Sequence, residues 1–238
     1  MARVPLLLVP GLLCSPRLFA AQTSALADVA EIVVPDWRRA PLSIWSDWAS
    51  AARWVLDQAP ADRFVLAGLS LGGMLAVEIM QIAPERVSRL TLLATGMRAQ
   101  NETERAIRRA RIRMANDGLF DTVLGLQMSR FIPANRLPDA ALVGEVVTMC
   151  REIGPEIYKR QEEMAAVRVD RRPDLPRIAC STLVACGRED AATPLFLSEE
   201  IAAGIPGSRL VVLEKCGHLL TMERPEAATA LLREFLTG

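Results

Sequence analysis

The stretch Leu66-Ala67-Gly68-Leu69-Ser70-Leu71-Gly72-Gly73 constrains this chain more than any other. Before it, Phe64-Val65-Leu66 is short, apolar and β-prone; after it, residues 74–80 carry helix formers, so the turn joins a strand to a helix. Glycines at 68 and 72 have no Cβ to collide. They let strand and helix approach closely and push Ser70 outward on a sharp, strained turn. The N-terminus of the following helix favours negative charge developing beside that hydroxyl. In this setting Gly-x-Ser-x-Gly reads as a nucleophile elbow.

Two nucleotide-binding readings of the same residues fail. Gly68 and Gly73 have the spacing of a phosphate loop, but Met74 and Leu75 stand where its lysine and hydroxyl are needed. Ser70 occupies the place of the second glycine of a dinucleotide fingerprint, where backbone must approach the pyrophosphate. A merely structural glycine-rich turn stays open on this motif alone.

The rest of the chain supplies the frame. Its 238 residues, 51% hydrophobic and 24% charged, suffice for one α/β core plus an insertion. Twenty-eight basic residues balance 28 acidic ones, so no nucleic acid and no anionic membrane is expected as a partner. The five cysteines, Cys14, Cys150, Cys180, Cys186 and Cys216, form no C-x-x-C pair, which argues against a disulfide framework or a zinc site and for a reducing cytoplasm. Residues 4–13 imitate the hydrophobic region of a signal peptide. Two prolines interrupt that run, it is too short to span a bilayer, and cleavage near Ala20 would remove a strand the core needs.

Strands are expected at 4–9, 32–34, 64–67, 90–94, 182–185 and 210–213. Helices are expected from Ser15-Pro16 onward, over 43–58, from the elbow to 82, over 193–203, and from Pro225, where Ala228, Leu231, Leu232 and Phe235 face inward. All four tryptophans (Trp37, Trp45, Trp48, Trp54) fall near the 43–58 helix, whose Ile44, Trp48, Ala51 and Val55 share one face, as core packing asks. Between 97 and 174 the alternation stops. Helical stretches at 102–116, 119–129, 139–152 and 156–167, broken at Gly118, Pro133, Pro138 and Gly154-Pro155, predict an inserted helical cap, with 1–96 and 175–238 forming the core. Strand and helix alternating six times imply a doubly wound, mostly parallel sheet of about six strands. Functional groups in such sheets gather beyond the carboxyl ends of the strands. Ser70, Asp190 and the chain's one histidine, His218, each follow a different strand there, in the order expected of an elbow-type hydrolase.

Through these residues the chain resembles the α/β-hydrolase superfamily, in the compact, capped form of esterases, lactonases and carbon–carbon bond hydrolases. The carriers are Gly68-Leu-Ser-Leu-Gly-Gly73, Gly187-Arg-Glu-Asp-Ala-Ala-Thr-Pro194 and Cys216-Gly-His-Leu-Leu-Thr-Met-Glu-Arg-Pro225. The resemblance implies Ser70 as nucleophile, His218 as general base then acid, and Asp190 rather than Glu189 as its orienting partner. It also implies an oxyanion hole from the backbone N–H groups of Leu12 and Leu71. Pro10 stands where such enzymes commonly carry a histidine, which is not a triad member. The implied activity is hydrolysis of a small or medium ester, thioester or lactone through an acyl-enzyme, with no metal and no cofactor. A carbon–carbon bond hydrolase and a non-catalytic ligand-binding member remain as alternatives. In the cap, Ile107, Ala110 and Met114 form one apolar face, suited to a largely apolar acyl group, and Arg105, Arg109 and Arg113 a separate, solvated row. Arg108 or Arg111, nearer the apolar side, are candidates to bind a substrate carboxylate.

Overall fold

The computed structural model describes residues 3–238. Strands β1 (Val4–Val9), β2 (Ala30–Val33), β3 (Phe64–Leu69), β4 (Val87–Leu93), β5 (Ser181–Gly187) and β6 (Arg209–Leu213) form one sheet, ordered β2-β1-β3-β4-β5-β6 and parallel throughout. The helices are α1 (Ala20–Ala25), α2 (Trp48–Leu56), α3 (Leu71–Ile82), α4 (Glu102–Asn116), α5 (Phe120–Phe131), α6 (Ala140–Ala166), α7 (Leu195–Gly204), α8 (Leu220–Glu223) and α9 (Pro225–Thr237). Successive strand side chains point to opposite faces, yet Leu6, Leu7, Leu8 and Val9 are all fully buried, so both faces of β1 are covered. The apolar start of the chain is therefore an inner strand, paired with β2 on one side and β3 on the other.

The chain steps from β1 outward to β2, then reverses to β3 and continues to β6. Right-handed crossovers place α1 on one face and α2, α3 and α7 on the other, and α9 returns to pack against α1. The reversal leaves a crevice beyond the paired ends of β1 and β3, where Val9 lies in register with Gly68. Two loops that matter for function start there.

The expected helix over 43–58 is not continuous. A 3-10 turn, Leu42–Ser46, precedes α2, and Asp47 between them is extended, its carboxylate accepting the Ser50 N–H at 2.7 Å. Aspartate at that position satisfies an orphan N–H of a new helix better than it continues an old one. The Ile44–Val55 stripe is thus split. Trp37, fully buried, packs at a tilt against Trp45 and Trp54 at ring distances of 5.3 and 5.6 Å, and the Trp48 indole donates to the Met164 carbonyl at 3.1 Å.

Helices α4, α5 and α6 fill the interval between β4 and β5, as the loss of alternation predicts. The stretches 139–152 and 156–167 are the two arms of α6, which kinks at Gly154 (φ 72°, ψ 170°) just before Pro155. Asn101 and Glu104 close a capping box at the start of α4. On α4, Ile107 is 45% exposed and lines the cleft described below, while Ala115, one residue past Met114, is buried. Arg109 reaches Glu102 on the solvated side as expected. Among the described residues no helix is long and apolar enough to cross a membrane.

Candidate active site

Ser70 sits between β3 and α3 with φ 56° and ψ −114°, a backbone conformation that L-residues with a side chain rarely adopt. Its surroundings fix that strain. The Ser70 N–H donates to Leu93 O at 2.9 Å, and its carbonyl accepts from the Thr95 hydroxyl at 2.7 Å and from the Gly73 and Met74 N–H groups. The glycines are required by contact: a Cβ on Gly68 would lie 2.2 Å from Gly72 O, and one on Gly72 would lie 2.0 Å from Val9 O. Strand and helix therefore touch through backbone, and the serine is turned toward the crevice.

Asp190 and His218 meet at the same end of the sheet, on the loops after β5 and β6. His218 Nδ1 lies 2.9 Å from Asp190 Oδ2 and 3.1 Å from Oδ1, with both side chains almost wholly buried. Asp190 Oδ1 also accepts the Ala192 and Thr193 N–H groups at 2.8 Å each, and Oδ2 accepts the Thr193 hydroxyl at 2.7 Å. Burial pushes the carboxyl up, but His218 and these donors outweigh it and hold Asp190 below the usual carboxylate range. Its charge is thus kept at neutral pH, facing Nδ1. Adjacent Glu189 is exposed and contributes only its backbone, which donates to Cys216 O at 2.9 Å.

Ser70, His218, Leu12 and Leu71 line one cleft of about 740 Å³. No hydrogen bond joins Ser70 to His218 among the described residues; contacts of this kind often tighten only when substrate binds. Leu71 is the first residue of α3, and neither its N–H nor that of Leu12 has a partner among the described residues. Next to Leu12, Leu13 holds φ 60° and donates its N–H to the fully buried Gln161 of α6 at 3.0 Å. No group of three or more His, Cys, Asp or Glu side chains is arranged to hold a metal ion among the described residues.

The arginines of α4 also reach this cleft. Arg108 pairs directly with Glu162 and gives its Nε to Gln100 at 2.7 Å, while Arg111 lies 3.9 Å from Glu162. Both line the cleft wall, each sharing the one buried carboxylate.

Three contributors were not singled out by sequence. Phe131, ending α5, stacks on the His218 ring at 5.5 Å and 16°, and its carbonyl accepts the His218 N–H at 3.1 Å. Thr193 braces Asp190. Glu223 accepts the Gly217 N–H at 2.9 Å and the Leu219 N–H at 3.0 Å, clamping the chain on both sides of His218. Burial raises the Glu223 carboxyl above its ordinary value despite those donors. Thr193 and Glu223 lie inside the quoted motifs, so their positions were visible; Phe131 falls just past the helical stretch expected over 119–129 and carried no signal.

Residues 6–231 match the model of the alpha/beta hydrolase family, and the chain belongs to that family. It is a hydrolase. The chain is 31% identical over 218 residues, covering 88% of it and 83% of the relative, to a pimeloyl-[acyl-carrier protein] methyl ester esterase of Neisseria meningitidis. Among solved structures, a thermophilic esterase of Thermogutta terrifontis with malate bound superposes with a TM-score of 0.86 at 26% identity, over 98% of this chain and 89% of that one. The enol-lactonase of Burkholderia xenovorans shares the fold, with a TM-score of 0.87 at 22% identity over 100% and 93% of the two chains.

Proposed function

We propose that the protein hydrolyses a carboxylic ester, thioester or lactone through an acyl-enzyme on Ser70. One observation carries this reading: the buried Asp190–His218 pair and the strained Ser70 turn open onto the same cleft. Ionised Asp190 holds the His218 proton on Nδ1, which leaves Nε2 free to accept. As Ser70 Oγ attacks the acyl carbon, its proton passes to Nε2, and the carbonyl electrons move to an oxyanion received by the Leu12 and Leu71 N–H groups. Collapse of that intermediate breaks the bond to the leaving group, which takes the proton from His218. A water then enters by the same steps, giving the acid and restoring Ser70. The relative named as a methyl ester esterase supports a carboxylic ester as the bond broken.

In this reading residues 97–174 act as a cap over a core of 1–96 and 175–238, selecting a small or medium acyl group against Leu12, Leu71, Met74 and Phe131. The five free cysteines fit a reducing compartment such as the cytoplasm. The test is release of 4-nitrophenol from short-chain 4-nitrophenyl esters by the wild type and by Ser70→Ala. The variant is expected to fold and to lose about 10⁴-fold or more in kcat. An equally active Ser70→Ala would overturn the reading, and a marked preference for long-chain acyl esters would overturn the size limit.

A further inference from the structure

The cap wall of the cleft holds more positive charge than its neighbours neutralise. Arg108, Arg111, Arg130 and Arg168 all line it. Glu162, fully buried, is the carboxylate shared by Arg108 and Arg111, and it also accepts the Tyr158 hydroxyl at 2.8 Å. Arg130 and Arg168 have no carboxylate within salt-bridge distance among the described residues. Arg130 makes one long hydrogen bond, 3.4 Å to Ala192 O, and Arg168 spends its Nε on Arg98 O at 2.7 Å and an Nη on the Met74 sulfur. Arginines at the cleft mouth differ, since Arg98 and Arg172 are paired with Glu200 and Asp170.

Both unpaired guanidiniums are half-buried. Burial, with repulsion from Arg111 and Arg108, lowers Arg130 despite the more distant Glu162 and Asp190; burial and Arg108 bring Arg168 down to about 10 despite Glu104, which still leaves it cationic at neutral pH. A half-buried cation without a partner is destabilising, and an anion entering the cleft relieves it. The two also flank the reacting groups. Arg130 precedes Phe131, which stacks on His218, and it bonds the loop that carries Asp190; Arg168 touches Met74, in the first turn of the helix behind Ser70.

We infer that this arginine row binds a carboxylate carried by the substrate apart from its scissile acyl bond, so that half-esters of dicarboxylic acids are preferred over neutral esters of the same length. The inference rests on the ester-hydrolase reading above. Each guanidinium edge offers two parallel N–H donors that match a planar carboxylate. The apolar residues next to Ser70 then hold the methylenes between the two ends of the substrate.

Monomethyl glutarate and methyl pentanoate form the matched pair, differing by a carboxylate in place of a methyl. The wild type is expected to favour monomethyl glutarate in kcat/KM by about tenfold or more, the scale of one charge-assisted hydrogen-bonded contact. That ratio should collapse toward one in Arg130→Gln, in Arg168→Gln, or in both. Calorimetric binding to Ser70→Ala reads the same site without turnover, and monomethyl glutarate should again bind about tenfold more tightly than methyl pentanoate. Tight, arginine-dependent binding with no hydrolysis of either ester would sustain the anion site and sink the hydrolase reading. Turnover of both esters without preference, with equal binding, would sink the anion site and leave the hydrolase reading standing. Tighter binding of butyl phosphate than of monomethyl glutarate would refute the choice of carboxylate.

Discussion

Replacing Asp190 by Asn should abolish turnover while sparing the fold, because the two jobs of this carboxylate fall on different oxygens. Oδ1 accepts the Ala192 and Thr193 N–H groups, and an asparagine carbonyl can do the same. The amide NH₂ then replaces Oδ2, which faces the Thr193 hydroxyl at 2.7 Å and His218 Nδ1 at 2.9 Å. The hydroxyl can rotate to accept, but Nδ1 must also accept, so the imidazole proton moves to Nε2, the atom that has to receive the Ser70 proton. The expected fall in kcat is about 10⁴-fold, the loss seen when a triad histidine is held in the wrong tautomer. That corresponds to about 5 kcal/mol of transition-state stabilisation. The fold loses only the charge-assisted part of these bonds, about 1–2 kcal/mol. Because the folded carboxyl titrates below its usual range, its stabilisation is present above the unfolded value of about 3.9 and is lost as pH falls through the folded value. The gap in urea stability between wild type and variant should therefore close on acidification. Steady-state kinetics with a 4-nitrophenyl ester, beside urea unfolding at neutral and acid pH, reads both effects. Retention of more than a tenth of the activity in Asp190→Asn, or a crippled Glu189→Gln, would refute the reasoning.

Glu223→Ala leaves the Gly217 and Leu219 N–H groups buried without acceptors, at about 1–3 kcal/mol each, so urea unfolding should show a loss of about 2–6 kcal/mol. Glu223→Gln, which keeps one acceptor, should lose about half as much. Burial raises the Glu223 carboxyl, so the stability linked to it is full below its unfolded pKa and lost as pH rises through the folded one; Glu223→Gln should lack that decline. His218→Ala, which removes the group placed to take the Ser70 proton, should lose about 10⁴-fold or more in kcat on a 4-nitrophenyl ester, and full activity in that variant would remove His218 from the role of base.

The candidate site was legible where chemistry and backbone demand the same residue. Gly68 and Gly72 are dictated by contacts of 2.2 and 2.0 Å, so their spacing around Ser70 announces the turn before any coordinates do. The sheet was legible for a similar reason: inner strands buried on both faces read as unbroken apolar runs, and their alternation with helices implies a parallel, doubly wound sheet, though not its strand order. What stayed hidden depends on distant partners. Asp47 ends one turn and caps the next helix through a local choice between two acceptable conformations. Arg108 and Arg111 could be placed near the substrate from helical spacing, but that Glu162, some fifty residues on, would occupy them was not visible. Arg130 and Arg168 carried no signal in the sequence, and only the lack of a carboxylate within salt-bridge distance among the described residues marks them out. Phe131 over His218 is likewise a product of how α5 crosses the strand ends.

Covalent capture of Ser70 is the most direct measurement. Diethyl 4-nitrophenyl phosphate, whose phosphorus accepts an activated serine oxygen as 4-nitrophenolate leaves, should add one diethylphosphoryl group per chain in step with loss of esterase activity. Peptide mapping should place that group on Ser70, within the segment between Arg63 and Arg86. Labelling should be absent in Ser70→Ala and strongly slowed in His218→Ala, the nucleophile then lacking its base. Full activity after complete exposure to the reagent, or a stoichiometric label on any other residue with Ser70 untouched, would contradict the assignment of Ser70 as the nucleophile.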